Sequence, residues 1–171
     1  MEINIRKAIA EDAYDLAFCH ISSWQSAYKG IVPDEYLEKM LIEKDQLIER
    51  YRNNIKDTGY PEYFCVMYDG KIIGFIIINI SFDNEKHNIG EIWAVYLIEE
   101  FRNMGYGKEM LKFSIEKLKN LESEEIFLWV FEENIKARKF YEKNNFNYNG
   151  EKRENSWYGK PLIQLKYVLN I

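Results

Sequence analysis

Six consecutive residues, Arg102-Asn103-Met104-Gly105-Tyr106-Gly107, carry the clearest chemical signal in the chain. They stand between a strand-like apolar run ending near Leu97 and a helical pattern that starts soon after. Two glycines this close let the backbone turn tightly and let its N–H groups approach a ligand without a Cβ in the way. The helix that follows adds unpaired N–H donors and the positive end of its dipole. Phosphate is the ligand such a loop suits; a bare tight turn is what the glycines alone leave open. Two familiar phosphate loops are excluded by spacing. A dinucleotide fingerprint needs a third glycine where Met110 stands, and a P-loop needs a glycine at Arg102 and Ser or Thr at Glu109.

The elements that must hold this loop follow from periodicity. EINIRKA reads as a strand. Ala13, Leu16, Ala17, His20, Ile21 and Trp24 then recur at helical spacing, with Asp12 as a candidate cap. Lys29-Gly30 ends that helix and Pro33 opens the next, which carries Leu37, Met40 and Leu41. Leu47, Ile48 and Tyr51 mark a third. The period then changes: YFCVMY and IIGFIII read as strands joined by a tight turn at Asp69-Gly70. A polar stretch, DNEKHN, contains His87 and leads into the strand GEIWAVYLI. The glycine loop and its helix follow, with Met110, Leu111, Ile115, Leu118 and Leu121 on one side. EEIFLWVFE is a further strand, NIKARKFYEKNN a short helix, and FNYNGEK and PLIQLKYVL two more extended segments. Pro161 then belongs at a strand start or an edge. This order predicts one α/β domain over residues 1–171, built on a mixed sheet.

Composition limits the function. With 23 Lys plus Arg against 28 Asp plus Glu, the formal charge is −5, which argues against a nucleic-acid partner held by bulk charge. The longest apolar run, Ile72 to Ile78, is far short of a membrane span, and MEINIRKAIAED lacks a leader's apolar segment. Neither a membrane partner nor export is expected; the expected location is cytoplasmic. Cys19 and Cys65 form no metal-ligand pattern and no disulfide framework, so no metal is expected and burial is the reading for both.

R-x-x-G-x-G after the strand IWAVYL resembles the acyl-CoA loop of the GCN5-related N-acetyltransferase (GNAT) family. NIKARKFYEKNNF is similar to that family's other recurrent segment, with Asn134, Ala137, Phe140 and Tyr141 in order. SWQSAYKGIVPDEYL, Ser22 to Leu37, resembles the acceptor-side helices of small bacterial members. One departure is Asn145, where similar proteins often have glycine before the phenylalanine; asparagine is the next residue able to take a left-handed cap. The resemblance implies a twisted, mixed seven-strand sheet flanked by about four helices, with GEIWAVYLI and EEIFLWVFE splaying apart to admit the pantetheine arm of acetyl-CoA. It further implies that the amides of Arg102, Asn103, Met104, Gly105, Tyr106 and Gly107 hold the pyrophosphate. The backbone of Val95, Tyr96 and Leu97 would pair with the pantetheine. Asn134 would reach the cofactor arm, and Arg138 its adenosine or phosphate end.

The implied reaction is direct attack of a neutral amine on the thioester. Tyr141 occupies the position of the family's general acid, and a phenol with a pKa near 10 is protonated at neutral pH. Packing against Phe140 is its alternative use. Glu91, at the start of the strand, is the candidate base, directly or through water; an exposed strand-start carboxylate is the other reading. Trp24, Tyr28 and Trp93 are candidate acceptor-pocket residues. The acceptor is expected to be a small-molecule primary amine, with a peptide amine or a non-catalytic CoA-binding module as alternatives. A homodimer through the tail strands is a further expectation.

Overall fold

Asp69 and Gly70 both take positive φ, 48° and 74°, and so close a two-residue hairpin between Tyr68 and Lys71. This is the turn the sequence predicts. The structure, a computed structural model, describes residues 2–82 and 88–170; His87 lies outside the described residues. The chain runs β1 (Asn4–Lys7), α1 (Ala13–Ala27), α2 (Asp34–Ile42), α3 (Lys44–Lys56), β2 (Glu62–Tyr68), β3 (Lys71–Phe82), β4 (Asn88–Leu97), α4 (Tyr106–Asn120), β5 (Glu125–Phe131), α5 (Ile135–Glu142), β6 (Phe146–Trp157) and β7 (Lys160–Asn170). Single turns of 3-10 helix precede α1 at Ala10–Asp12 and follow β4 at Glu99–Phe101.

The strands form one seven-stranded sheet in the order β1-β2-β3-β4-β5-β7-β6. β4 and β5 pair in parallel, whereas the other neighbouring strands are antiparallel. One face carries Ile76, Ile78, Ile92, Ile126 and Leu128 against Met110, Leu111 and Leu118 of α4. The opposite face packs Cys65, Phe75, Ile77 and Ala94 against Ala13, Leu16 and Ala17 of α1 and Leu47 and Tyr51 of α3. Each fully buried aliphatic or aromatic side chain of this kind contributes roughly 1.5–3 kcal/mol. The uninterrupted apolar run in β3 is explained by this double coverage. Both cysteines are buried free thiols.

Two local expectations are refined and a third is met. Asp12 does not cap α1 through its side chain. Its carboxylate instead accepts from the Ile9 amide at 2.8 Å and from both terminal nitrogens of Arg6 at 2.6 and 2.7 Å. Those Arg6 bonds hold Asp12 below the usual carboxylate range. β6 extends beyond FNYNGEK to Trp157, because Tyr158-Gly159, with φ of 50° and 78°, closes a second two-residue hairpin onto β7. Its almost wholly exposed residues carry no hydrophobic alternation to reveal that length. Asn145 takes φ 68°, so it does stand in the left-handed cap before Phe146.

Candidate active site

β4 and β5 share only three register pairs, Ile89 with Glu125, Gly90 with Ile126 and Glu91 with Phe127. Beyond Glu91 the two strands separate, and Ile92–Leu97 keeps β3 as its ladder partner while its other edge lies open. A bulge at Trp93 accompanies the separation, since Ile92 and Ala94 face the consecutive residues Ile78 and Ile77. The splay therefore follows from strand pairing that stops after Glu91.

The glycine loop sits at the open end. Gly105 has φ 91° and precedes the first turn of α4. Its carbonyl accepts from Lys108 and Glu109, while the amides of Asn103, Met104, Gly105, Tyr106 and Gly107 donate to no acceptor among the described residues. Five free N–H groups at a helix start form an anion cradle. A Cβ on Gly107 would meet only the Phe140 ring, at 3.6 Å, so the chain's own packing does not demand glycine there. The glycine leaves that side of the backbone open to a ligand. These residues thus fit a pyrophosphate. Contrary to expectation the Arg102 amide is not free, because it donates to the Glu99 carbonyl at 3.1 Å as the single 3-10 turn closes. Its guanidinium is also engaged, donating to the Leu97 carbonyl at 3.0 Å and to Ser26 Oγ at 2.7 Å and so tying the loop to β4 and α1.

The cleft is walled by aromatics on both sides of the sheet. From the α1 side, Tyr28 contacts both diverging strands, with ring centroids 6.4 Å from Tyr96 of β4 and 5.1 Å from Phe131 of β5. The Tyr28 and Tyr96 hydroxyls are 3.1 Å apart. Trp24 packs on Tyr28 and stacks on Trp157 at 5.5 Å; its indole nitrogen is buried without a hydrogen-bond partner. From the other side, Tyr141 of α5 packs beside Phe140 and Phe146. Burial, and the nearby Tyr96 phenol, push the Tyr141 phenol well above its ordinary value, so it stays protonated. Its hydroxyl has no hydrogen-bond partner among the described residues and is free to donate.

Glu91 sits where the paired part of β4 ends. Burial raises its carboxyl above the ordinary value, opposed by a hydrogen bond from Trp93 and by the charges of Arg153 and Lys166. Trp93 is half exposed and shares no ring contact with Trp24 or Tyr28 among the described residues, so the three acceptor-pocket candidates fall into two groups. Asn134 caps α5, its Oδ1 accepting from the Ala137 amide at 3.1 Å. Arg138 is held by the Tyr167 hydroxyl at 3.1 Å and the Glu132 carbonyl at 3.0 Å. Of the strand residues, Val95 faces the α4 core and Tyr96 the α1 side. No group of His, Cys, Asp and Glu among the described residues is arranged to hold a metal.

Sequence reasoning missed Gly74. A Cβ there would lie 2.4 Å from the Tyr96 carbonyl oxygen, so this glycine lets β3 approach the strand that borders the cleft. The available signal was a glycine inside an apolar strand run. Arg153 and Trp129, which share the sheet face with Glu91, were missed too.

The comparisons with known proteins agree with this geometry. The chain is 27% identical over 178 residues to YuaI of Bacillus subtilis, an uncharacterized N-acetyltransferase, covering 98% of this chain and 99% of that protein. It is also 27% identical over 156 residues to the spermine/spermidine N(1)-acetyltransferase of B. subtilis, covering 88% and 91% respectively. The crystal structure of PaiA N-acetyltransferase from Thermoplasma acidophilum in complex with coenzyme A superposes with a TM-score of 0.72 at 26% identity, over 100% of both chains. Acetyl-CoA is accordingly the acyl donor. The model of the acetyltransferase (GNAT) family matches residues 21–146, and with the splayed strands and free amide loop it makes the conclusion plain: the chain belongs to the GNAT acetyltransferase family.

Proposed function

We propose that this acetyltransferase acts on the primary amine of a small molecule, with Glu91 as proton acceptor and Tyr141 as proton donor. The observation supporting the proposal is the open edge of β4, which begins after Glu91, together with Tyr141 of α5 lying near Tyr96 of that edge. Acetyl-CoA supplies an acetyl thioester to this cleft. Asn103 to Gly107 would bind its pyrophosphate through their amides, and Val95 to Leu97 would align its pantetheine through the strand backbone. Asn134, whose side-chain N–H groups donate to no described residue, would reach the same arm. Arg138 would approach the adenosine end only by giving up its bonds to Tyr167 and Glu132. Glu91 would take a proton from the amine, directly or through water; its burial strengthens it as a base. Tyr141 would donate to the departing thiolate. Trp24 and Tyr28 would shape the acceptor end of the cleft, and Trp93 would hold Glu91. Polyamines enter as candidate acceptors through the spermine/spermidine relative.

Two buried free thiols suit a reducing compartment, which supports a cytoplasmic enzyme. The free outer edge of β6 supports pairing between two copies, which light scattering would reveal as a doubled mass. The reaction is tested by free-thiol release from acetyl-CoA against a broad amine panel, with product masses assigning the acetyl group to nitrogen. Tyr141→Phe should lower kcat by about a hundredfold or more while sparing CoA affinity. Unchanged turnover, with chemistry rate-limiting, would remove Tyr141 from the role.

A further inference from the structure

Strand register gathers one set of side chains on the sheet face that bears Glu91. Glu91 stands opposite Phe127; Trp129 opposite Lys166; Phe131 opposite Gln164, which in turn faces Arg153. Side chains two apart on a strand share a face, so Glu91, Phe127, Trp129, Lys166, Gln164 and Arg153 form one surface. This surface continues into the wall formed by Phe131, Leu162, Trp157, Trp24 and Val32.

Two cations lie on it in different states. Lys166 stands 4.6 Å from the Phe127 ring centroid and is paired with Glu125 at 3.5 Å and Glu151 at 3.3 Å. Arg153 begins on the outermost strand but reaches back across β7. Its Nε donates to Gln164 Oε1 at 2.8 Å, and its guanidinium lies 4.3 Å from the Trp129 ring centroid on β5. Neighbouring strands are about 4.8 Å apart, so this crossing brings the charge to the strand that borders the cleft. Arg153 has no ion pair among the described residues, and its two terminal nitrogens donate to none of them. The stacked, hydrogen-bonded guanidinium is thus oriented with its bidentate edge open. Glu91, the carboxylate on the same surface, likewise has no ion pair among the described residues.

An unpaired carboxylate and an oriented, unpaired guanidinium on one face complement a molecule that carries both an amine and an anion. We propose that the acceptor is a small amine bearing a carboxylate or phosphate group, which Arg153 binds over Trp129 while the amine meets Glu91. A polyamine has no group for Arg153 and would bring further positive charge beside it. The inference rests on the amine-acetyltransferase reading above and narrows its substrate.

Thiol release from acetyl-CoA should be compared for n-butylamine, 4-aminobutanoate, O-phosphoethanolamine and spermidine. The expected result is a kcat/KM at least tenfold higher for 4-aminobutanoate or O-phosphoethanolamine than for either purely cationic amine, the better of the two identifying the anion. Arg153→Met should reduce that preference at least tenfold, chiefly through KM, and Gln164→Met should reduce it by a smaller factor. Calorimetric CoA affinity verifies that both variants are folded. Preference for spermidine or n-butylamine, or a preference untouched by Arg153→Met, would overturn the anionic acceptor and leave the acetyltransferase reading standing. No thiol release with any amine, from protein that binds CoA, would overturn both.

Discussion

The hydroxyls of Tyr28 and Tyr96 stand 3.1 Å apart, joining the end of α1 to the open part of β4. Both phenols are raised above their ordinary value, burial being the largest cause, so both stay protonated at neutral pH. Tyr28 also touches Phe131, and so it spans the two strands whose separation makes the cleft. Tyr28→Phe keeps the ring and removes the hydroxyl bond, and a net loss of about 1 kcal/mol in stability is expected. Its effect on catalysis should appear in KM for the amine, with CoA affinity unchanged. Denaturant unfolding, steady-state kinetics and calorimetry on the same variant separate these outcomes.

Gly105 tests the anion cradle. A Cβ there meets nothing within 4 Å, so crowding of the loop is not the reason a side chain is harmful; the positive φ of 91° is. A β-branched residue is strained in that region. Gly105→Val should therefore turn the free amides away and weaken CoA binding by roughly tenfold or more, equivalent to about 1.4 kcal/mol. Calorimetry showing wild-type affinity would count against the cradle.

Glu91 should impose an acid limb on the pH profile. A base works only when deprotonated, so kcat/KM should rise with pH through the Glu91 pKa, which burial places above the ordinary value. Trp93, Arg153 and Lys166 oppose that rise. Trp93→Phe removes a hydrogen bond that favours the carboxylate, so the limb should move to higher pH. A limb that stays in place would show that another group titrates. Glu91→Gln should abolish the limb and lower kcat by about a hundredfold.

His20 ties stability to pH. Burial pushes its imidazole down to about 3, and Nδ1 is 2.9 Å from the Tyr51 hydroxyl. The unfolded chain binds this proton below about 6.5 while the folded chain does not. Stability should therefore fall as pH drops from that value toward 3, by at most about 1.4 kcal/mol per pH unit from this group. His20→Gln should flatten this part of the dependence, whatever its effect at neutral pH. Urea unfolding across pH 4 to 7 measures the slope.

Much of this organisation was legible beforehand because it depends on short-range chemistry. The Asp69-Gly70 hairpin, the left-handed Asn145 and the glycine loop each lie within a few consecutive residues. Alternation and helical spacing likewise reported most of the residues that face a core, although Leu41 of α2, expected on its apolar side, is exposed. The length of β6 was hidden because its exposed residues carry no apolar pattern. Asp12 was misread because its partners, Arg6 and Ile9, precede the helix it was expected to cap.

By itself the sequence determined the order of the elements, the loop able to bind phosphate and the membership those motifs imply, since each is written in neighbouring residues. Only the tertiary structure decided that β4 and β5 part after Glu91 and that Tyr28 spans the gap. It also decided that Arg153 crosses β7 to lie over Trp129. Those relations join residues tens of positions apart, and strand register sets them: a slip of one residue would turn Glu91 and Arg153 to opposite faces.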